Sequence, residues 1–196
     1  GITTQFTMQM NGNKNIMAGE GNATTSGEDG LFVFVRKSSG FTTINLEGEW
    51  FLAGSDIQGN HTWDGLIILD STGAVTGGTI TSSAGPVYSI TSGSLAIDST
   101  GKITGSFTDS DGITTQFTMQ MNNTKDIMAG EGNATGNEDG VFVFIKKSSG
   151  FTTGNLAGEW FLGGSDIQGN HTWDGLITLD STGAVTGGTI TSSAGP

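Results

Sequence analysis

The chain predicts an all-β protein built from tandem antiparallel meander units, each barrel-like and of about eight strands. Three observations carry this. The first is composition: 196 residues hold 34 Gly, 2 Pro and no Cys, with 13% charged residues. Thr, Ser and Asn fill much of the rest, which suits strands and turns better than helices. The second is alternation. In residues 113–121, Phe117, Met119 and Met121 fall on one face and Gln116, Thr118 and Gln120 on the other, the period of a half-buried strand. The third is punctuation: Asp70-Ser71-Thr72-Gly73 and Asp98-Ser99-Thr100-Gly101 place Asp first and Gly last, as a tight hairpin turn requires. A β-sandwich or a propeller-like repeat is the alternative architecture for these signals.

A repeat sets the organisation. Residues 1–86 match residues 112–196, with an offset of 111 up to Thr24 and of 110 from Glu28 onward. The offset changes in the loop Thr25-Ser26-Gly27, opposite Gly136-Asn137, and 12 of 85 aligned positions differ. A length change costs little in a loop. Only residues 87–111 occur once, so the chain is two periods lacking one 25-residue piece (196 + 25 = 221 = 110 + 111). The unalternating stretch 37–46, copied at 147–156, reads as a linker. On that cut, residues 1–40 are strands six to eight of a unit, 41–150 a complete unit, and 151–196 strands one to three of a further unit.

Eight strands are predicted in the complete unit: 49–53, 62–69, 75–82, 87–97, 103–108, 113–121, 127–134 and 141–146. The first opens on Gly48-Glu49-Trp50-Phe51-Leu52 and the second carries Trp63, and both are copied, at Trp160 and Trp173. Short connections make sequential strands antiparallel neighbours. Eight such strands can close on themselves and remove both edges. The run Val141-Phe142-Val143-Phe144-Ile145 is apolar on both faces and so predicts a wall packed on its outside as well.

Charge excludes some partners. The formal net charge is −12 with 7 Lys plus Arg. No basic patch is available for the phosphates of nucleic acid or for an anionic membrane. There is no disulfide framework, and no run of residues reads as a signal peptide or transmembrane helix.

Gly48-Glu49-Trp50 followed by meander strands resembles the start of lipocalin- and avidin-type barrels. Leu46-Glu47-Gly48-Glu49-Trp50, the hairpin from Asp70 to Gly77 and the closing run ending at Lys146 and Lys147 resemble tandem repeats of about 110 residues in large bacterial secreted or surface proteins. That resemblance implies an extracellular or cell-surface location and a structural or adhesive role, and no particular ligand.

Candidate chemistry is sparse. Ser55, Asp56, His61 and Asp64, copied at Ser165, Asp166, His171 and Asp174, have the residue types of a hydrolytic triad. They crowd into one loop, whereas a base is normally oriented from separate elements; no catalytic residue is assigned, and the chain is read as no enzyme. Asp109-Ser110-Asp111-Gly112 resembles the opening of a calcium loop, but the twelfth position is Gln120 instead of an acid. Asp109 and Asp111 are the candidate calcium ligands; no other cofactor is expected. Asn22, Asn60, Asn122, Asn133 and Asn170 stand in Asn-x-Thr sequons, which this composition yields by chance. Trp50, Phe117, Met119 and the Trp63 region are the residues expected to line, or to fill, a barrel interior.

The functional expectation is an acidic, self-assembling structural protein: a filament, stalk or adhesin, its surface receptor or matrix unspecified. Leu31, Phe32, Val33, Phe34 and Val35 of one end would pair with Trp160, Phe161 and Leu162 of the other, since the eighth strand of a meander barrel lies beside the first. The alternative is a calycin-like module that binds a small ligand.

Overall fold

The computed structural model describes residues 3–23, 29–56, 61–83, 85–135, 138–165 and 172–192. Fourteen strands follow one another: β1 (Thr4–Met10), β2 (Ile16–Ala23), β3 (Asp29–Val35), β4 (Gly48–Asp56), β5 (Thr62–Leu69), β6 (Val75–Ser82), β7 (Val87–Ile97), β8 (Lys102–Asp109), β9 (Thr114–Met121), β10 (Ile127–Ala134), β11 (Glu138–Lys146), β12 (Gly158–Ser165), β13 (Thr172–Leu179) and β14 (Val185–Ser192). Two single-turn 3₁₀ segments, Thr43–Leu46 and Thr153–Leu156, precede β4 and β12. The chain divides into two compact units, Val35–Lys147 and Gly1–Phe34 with Ser148–Pro196.

The first unit is a closed antiparallel barrel in which β4 to β11 pair in sequence order and β11 returns to β4. Closure leaves the barrel no sheet edge. The predicted meander is therefore the observed topology, and no sandwich or propeller forms among the described residues. The strands run one to three residues beyond the expected bounds at several ends, where the ladder continues past the apolar alternation, as in Gly54↔Phe142 and Ser55↔Val141.

Alternation directs one residue in two inward. Trp50, Leu52, Ile67, Leu69, Ile80, Ile90, Leu95, Ile103, Phe107, Phe117, Met119, Met121, Met128, Phe142 and Phe144 form one buried cluster. Phe117 sits at its aromatic centre, with ring centroids 5.1 Å from Phe107 and 5.5 Å from both Phe142 and Phe144. The Phe142 and Phe144 rings meet Phe117 edge to face, which suits the ring quadrupoles, and the Phe107 ring is tilted by 39°. The wall bends where side chains are absent. Gly93 and Gly105 both have φ of +153, and a Cβ on either would lie within 2.4 Å of a carbonyl oxygen on the neighbouring strand. Only glycine allows β7 and β8 to approach there.

One end of the barrel is stitched shut. Gly73, Gly101 and Asp126, in the β5–β6, β7–β8 and β9–β10 turns, accept hydrogen bonds from the backbone N–H of Leu95, Met121 and Lys146 at 2.8 to 2.9 Å. The plug comes from the segment predicted as a linker: Phe41 and Leu46 are both buried. Trp50 Nε1 donates to the Leu46 carbonyl at 2.7 Å, and Lys146 Nζ lies 5.4 Å from the centre of the Trp50 ring. The linker reading needs correction for this reason. An irregular segment without alternation still buries two large apolar residues when it crosses the mouth of a barrel.

The second unit holds two three-stranded sheets, β1-β2-β3 and β12-β13-β14. β1 to β3 repeat the sequence of β9 to β11, and β12 to β14 that of β4 to β6. β12 lies against β2, close enough that a side chain at Gly163 would meet Gly19 and Leu31. Residues buried in the barrel are open here: Phe117 is 3% exposed and its copy Phe6 48%, and Trp50 is 0% and its copy Trp160 45%.

Candidate functional site

The end of the barrel opposite the plug keeps a recess. Leu52 from β4, Trp63 from β5, Ile80 from β6, Phe107 and Asp109 from β8, Ile113 and Thr115 at the start of β9, Ala134 from β10 and Phe142 from β11 line it, around a cavity of ≈ 20 Å³. That is room for about one water. The walls are aliphatic and aromatic because they continue the inward stripes of the barrel strands by one further residue. Trp63 is only partly buried and packs near Tyr88, with ring centroids 6.3 Å apart.

Asp109 is the acidic member that sets this recess apart. It follows Ile103 and Phe107 on the inward stripe of β8 and is 5% exposed. Its Oδ1 accepts hydrogen bonds from the backbone N–H of Asp111 at 2.9 Å and of Ile113 at 3.0 Å, which shapes the turn into β9. Among the described residues Oδ2 accepts no hydrogen bond. The related turns differ at the third position. Thr72 and Thr100 each donate both backbone N–H and hydroxyl to Asp70 and Asp98, whereas Asp111 has only its N–H to give. In Asp70 and Asp98, the Thr hydroxyl first and its N–H second hold the carboxyl below its ordinary value of 3.8.

The residues singled out from sequence are distributed as follows. Trp50, Phe117 and Met119 fill the interior, and Trp63 reaches the mouth. Asp111, the other candidate calcium ligand, is exposed at the tip of the β8–β9 turn. Among the described residues no three His, Cys, Asp or Glu side chains gather into a group that could hold a metal. His61 precedes β5 with its ring 6.2 Å from that of Trp63, while Asp64 is exposed. His171 and Asp166 lie outside the described residues. Asn122 is 1% exposed, and its Nδ2 donates to Thr124 Oγ1 at 2.8 Å and Asp126 Oδ1 at 2.6 Å. The nitrogen that a glycan would need is thus committed to the β9–β10 turn. Leu31 to Val35 form the core of β3, and Trp160 to Leu162 lie in β12.

Sequence reasoning missed Leu52, Ile80, Ala134 and Phe142 as mouth residues, and Asp109 as an inward-facing acid. The signal for Asp109 was present. It stands two residues after Phe107, so strand alternation turns both the same way.

A second depression, of ≈ 400 Å³, lies over β8, β9 and β10, lined by Thr104, Gly105, Ser106, Gln116, Phe117, Thr118 and Asn133. Its lining is largely short polar side chains, without the convergent charge or aromatic wall of the mouth.

No protein-family model matches the chain, and no curated protein matches it. The resemblance to bacterial surface repeats gains no support from these comparisons. Among solved structures the chain is similar to designed barrels. A de novo designed fluorescence-activating β-barrel is 15% identical and matches over 52% of this chain and 93% of its own, with a TM-score of 0.44. A redesigned β-barrel bound to DFHBI is 12% identical over 54% of this chain and 98% of its own, at 0.46. Another redesigned barrel is 13% identical over 55% and 96%, at 0.45.

Proposed function

We propose that the barrel is a binding module for a small apolar molecule that carries one hydrogen-bond donor and enters at the mouth. The observation that supports this is the pairing of apolar walls with a single buried carboxylate whose Oδ2 accepts nothing among the described residues. Binding sites of this kind are mostly apolar, with a few polar groups that orient the ligand. A buried acceptor without a donor is costly, and a ligand N–H or O–H at Asp109 relieves that cost. The cavity admits little more than a water as it stands, so binding requires the half-buried Trp63 to turn outward.

The test is titration with a neutral solvatochromic dye and with small aromatic amines and phenols, followed by fluorescence. Saturable binding is expected in the parent chain. Ala134→Phe, which fills the recess, should abolish it. Asp109→Asn keeps the Oδ1 acceptor of the turn and should weaken donor-bearing ligands by about tenfold, the loss of one charge-assisted hydrogen bond. Phe6→Lys, on the open sheet of the other unit, should leave it unchanged. Binding that survives Ala134→Phe but disappears in Phe6→Lys would assign the dye to the exposed sheets and remove the mouth from the account.

The second reading is a structural repeat, a stalk or adhesin on a cell surface. The buried apolar cluster that fills the barrel beside the Phe41 and Leu46 plug favours it, because side chains there occupy the place a ligand would take.

A further inference from the structure

The barrel contains a strand pairing that has no counterpart among the described residues of the second unit. In the barrel, β11 closes on β4 with Val141 opposite Ser55, Val143 opposite Ala53 and Phe144 opposite Leu52. β3 is the sequence copy of β11 and β12 the copy of β4. Among the described residues, β3 is hydrogen-bonded only to β2, and β12 only to β13. Both strands thus present a free row of backbone donors and acceptors, which templates the addition of another strand. The chain's own β12 is seated against β2.

The two edges suit each other. Residues 31–35 and 160–165 carry no charge, so neither edge has the lysine or proline that blocks pairing in natural sheets. Phe32, Phe34, Trp160 and Leu162 are exposed, whereas their copies Phe142, Phe144, Trp50 and Leu52 are buried in the barrel. The β11–β4 ladder gives the register in which near-identical copies of these two strands pair.

We propose that β3 of one chain pairs antiparallel with β12 of a second copy, in the register of β11 on β4. Val33 then stands opposite Gly163, and Phe34 opposite Leu162. The contact is head-to-tail, because each copy retains one open edge of the opposite kind. It extends into a string of copies or closes into a ring.

The native chain has no cysteine, so introduced thiols report the register directly. Val33→Cys chains are mixed with Gly163→Cys chains under mild oxidation. A mixed disulfide between the two is expected, well above the yield from Val33→Cys with Glu159→Cys, which is four residues out of register. Sedimentation of the unsubstituted chain should show species of at least twice the monomer mass. Phe34→Lys should return the chain to monomer, with the Leu95 and Met121 amides of the barrel still protected from exchange. Three results overturn the proposal: a monomeric unsubstituted chain at all concentrations, a mixed-disulfide yield no higher than that of the out-of-register control, or a Val33→Cys/Gly163→Cys double variant that closes its disulfide within one chain.

Discussion

Asp98 and Thr100 show how much of a hairpin rests on one side chain. The Asp98 carboxylate receives the Thr100 hydroxyl at 2.7 Å and the backbone N–H groups of Thr100 and Lys102 at 2.8 and 3.1 Å. All of these donors favour the ionised form, so the carboxyl stays charged below its ordinary value of 3.8. Its stabilising contribution is therefore present above about pH 4 and is lost as the pH falls through the depressed folded value. Asp70 and Asp180 repeat the arrangement with Thr72 and Thr182. Thr100→Val removes the largest cause of the shift and keeps both backbone donors. The Asp98 titration, followed by carboxyl carbon NMR, should then move up toward the ordinary value without reaching it. At this scale the turns were legible, because Asp-Ser-Thr-Gly encodes both the carboxylate and its donors. The recess was not. Asp109 heads a related turn with Asp111 in place of the Thr, and its strand phase makes it an inward acid instead of a solvated cap.

At the scale of the element, the strands were legible and the plug was not. Strands announce themselves by alternation, and that information is local. Phe41 and Leu46 have no period, and their burial comes from where the barrel places its closed end. The copy makes the point quantitatively. Trp160 Nε1 still donates to the Leu156 carbonyl, at 2.6 Å, so the 3₁₀ turn and its Trp form a local motif. Yet Leu46 is 0% exposed and Leu156 is 42%. Local geometry is thus conserved between copies while the energetic value of the leucine is not. Leu46→Ala should destabilise the barrel by about 2–5 kcal/mol, the usual cost of a buried leucine truncated to alanine. Leu156→Ala should change the stability of either unit by no more than about 0.5 kcal/mol. Urea dependence of exchange at the Leu95 and Met121 amides, which bridge the stitched end of the barrel, reads the first. Near-equal effects would mean that the plug contributes through its local turn and not through burial.

At the scale of the whole molecule, nearly identical sequences meet two fates, and the difference lies in which strands are present. Among the described residues β4 to β11 close, and β1 to β3 and β12 to β14 do not. The second set lacks copies of β7 and β8, the strands within residues 87–111 that occur once. The barrel formed by β4 to β11 uses all eight strands, and its strand number, tilt and stagger are linked. Appending a second copy of residues 87–111 after Pro196 supplies the two missing strands in the correct order. It also recreates the Pro86–Val87 junction, as Pro196 followed by Val. The new barrel would run β12, β13, β14, the two added strands, then β1, β2 and β3, with its chain break in the turn that corresponds to Asp109-Ser110-Asp111-Gly112. A break in an exposed turn is the kind that permuted proteins tolerate. In the extended chain β3 pairs with β12 of its own chain, in the β11–β4 register. Phe6, Phe34, Trp160 and Leu162 should become buried, and Trp160 fluorescence should shift to the blue. Association between copies should disappear, because the open edges that support it are gone. An extended chain that still associates, with Trp160 as exposed as before, would show that eight complementary strands are not sufficient and that the linkage through residues 36–47 prevents the second barrel from closing.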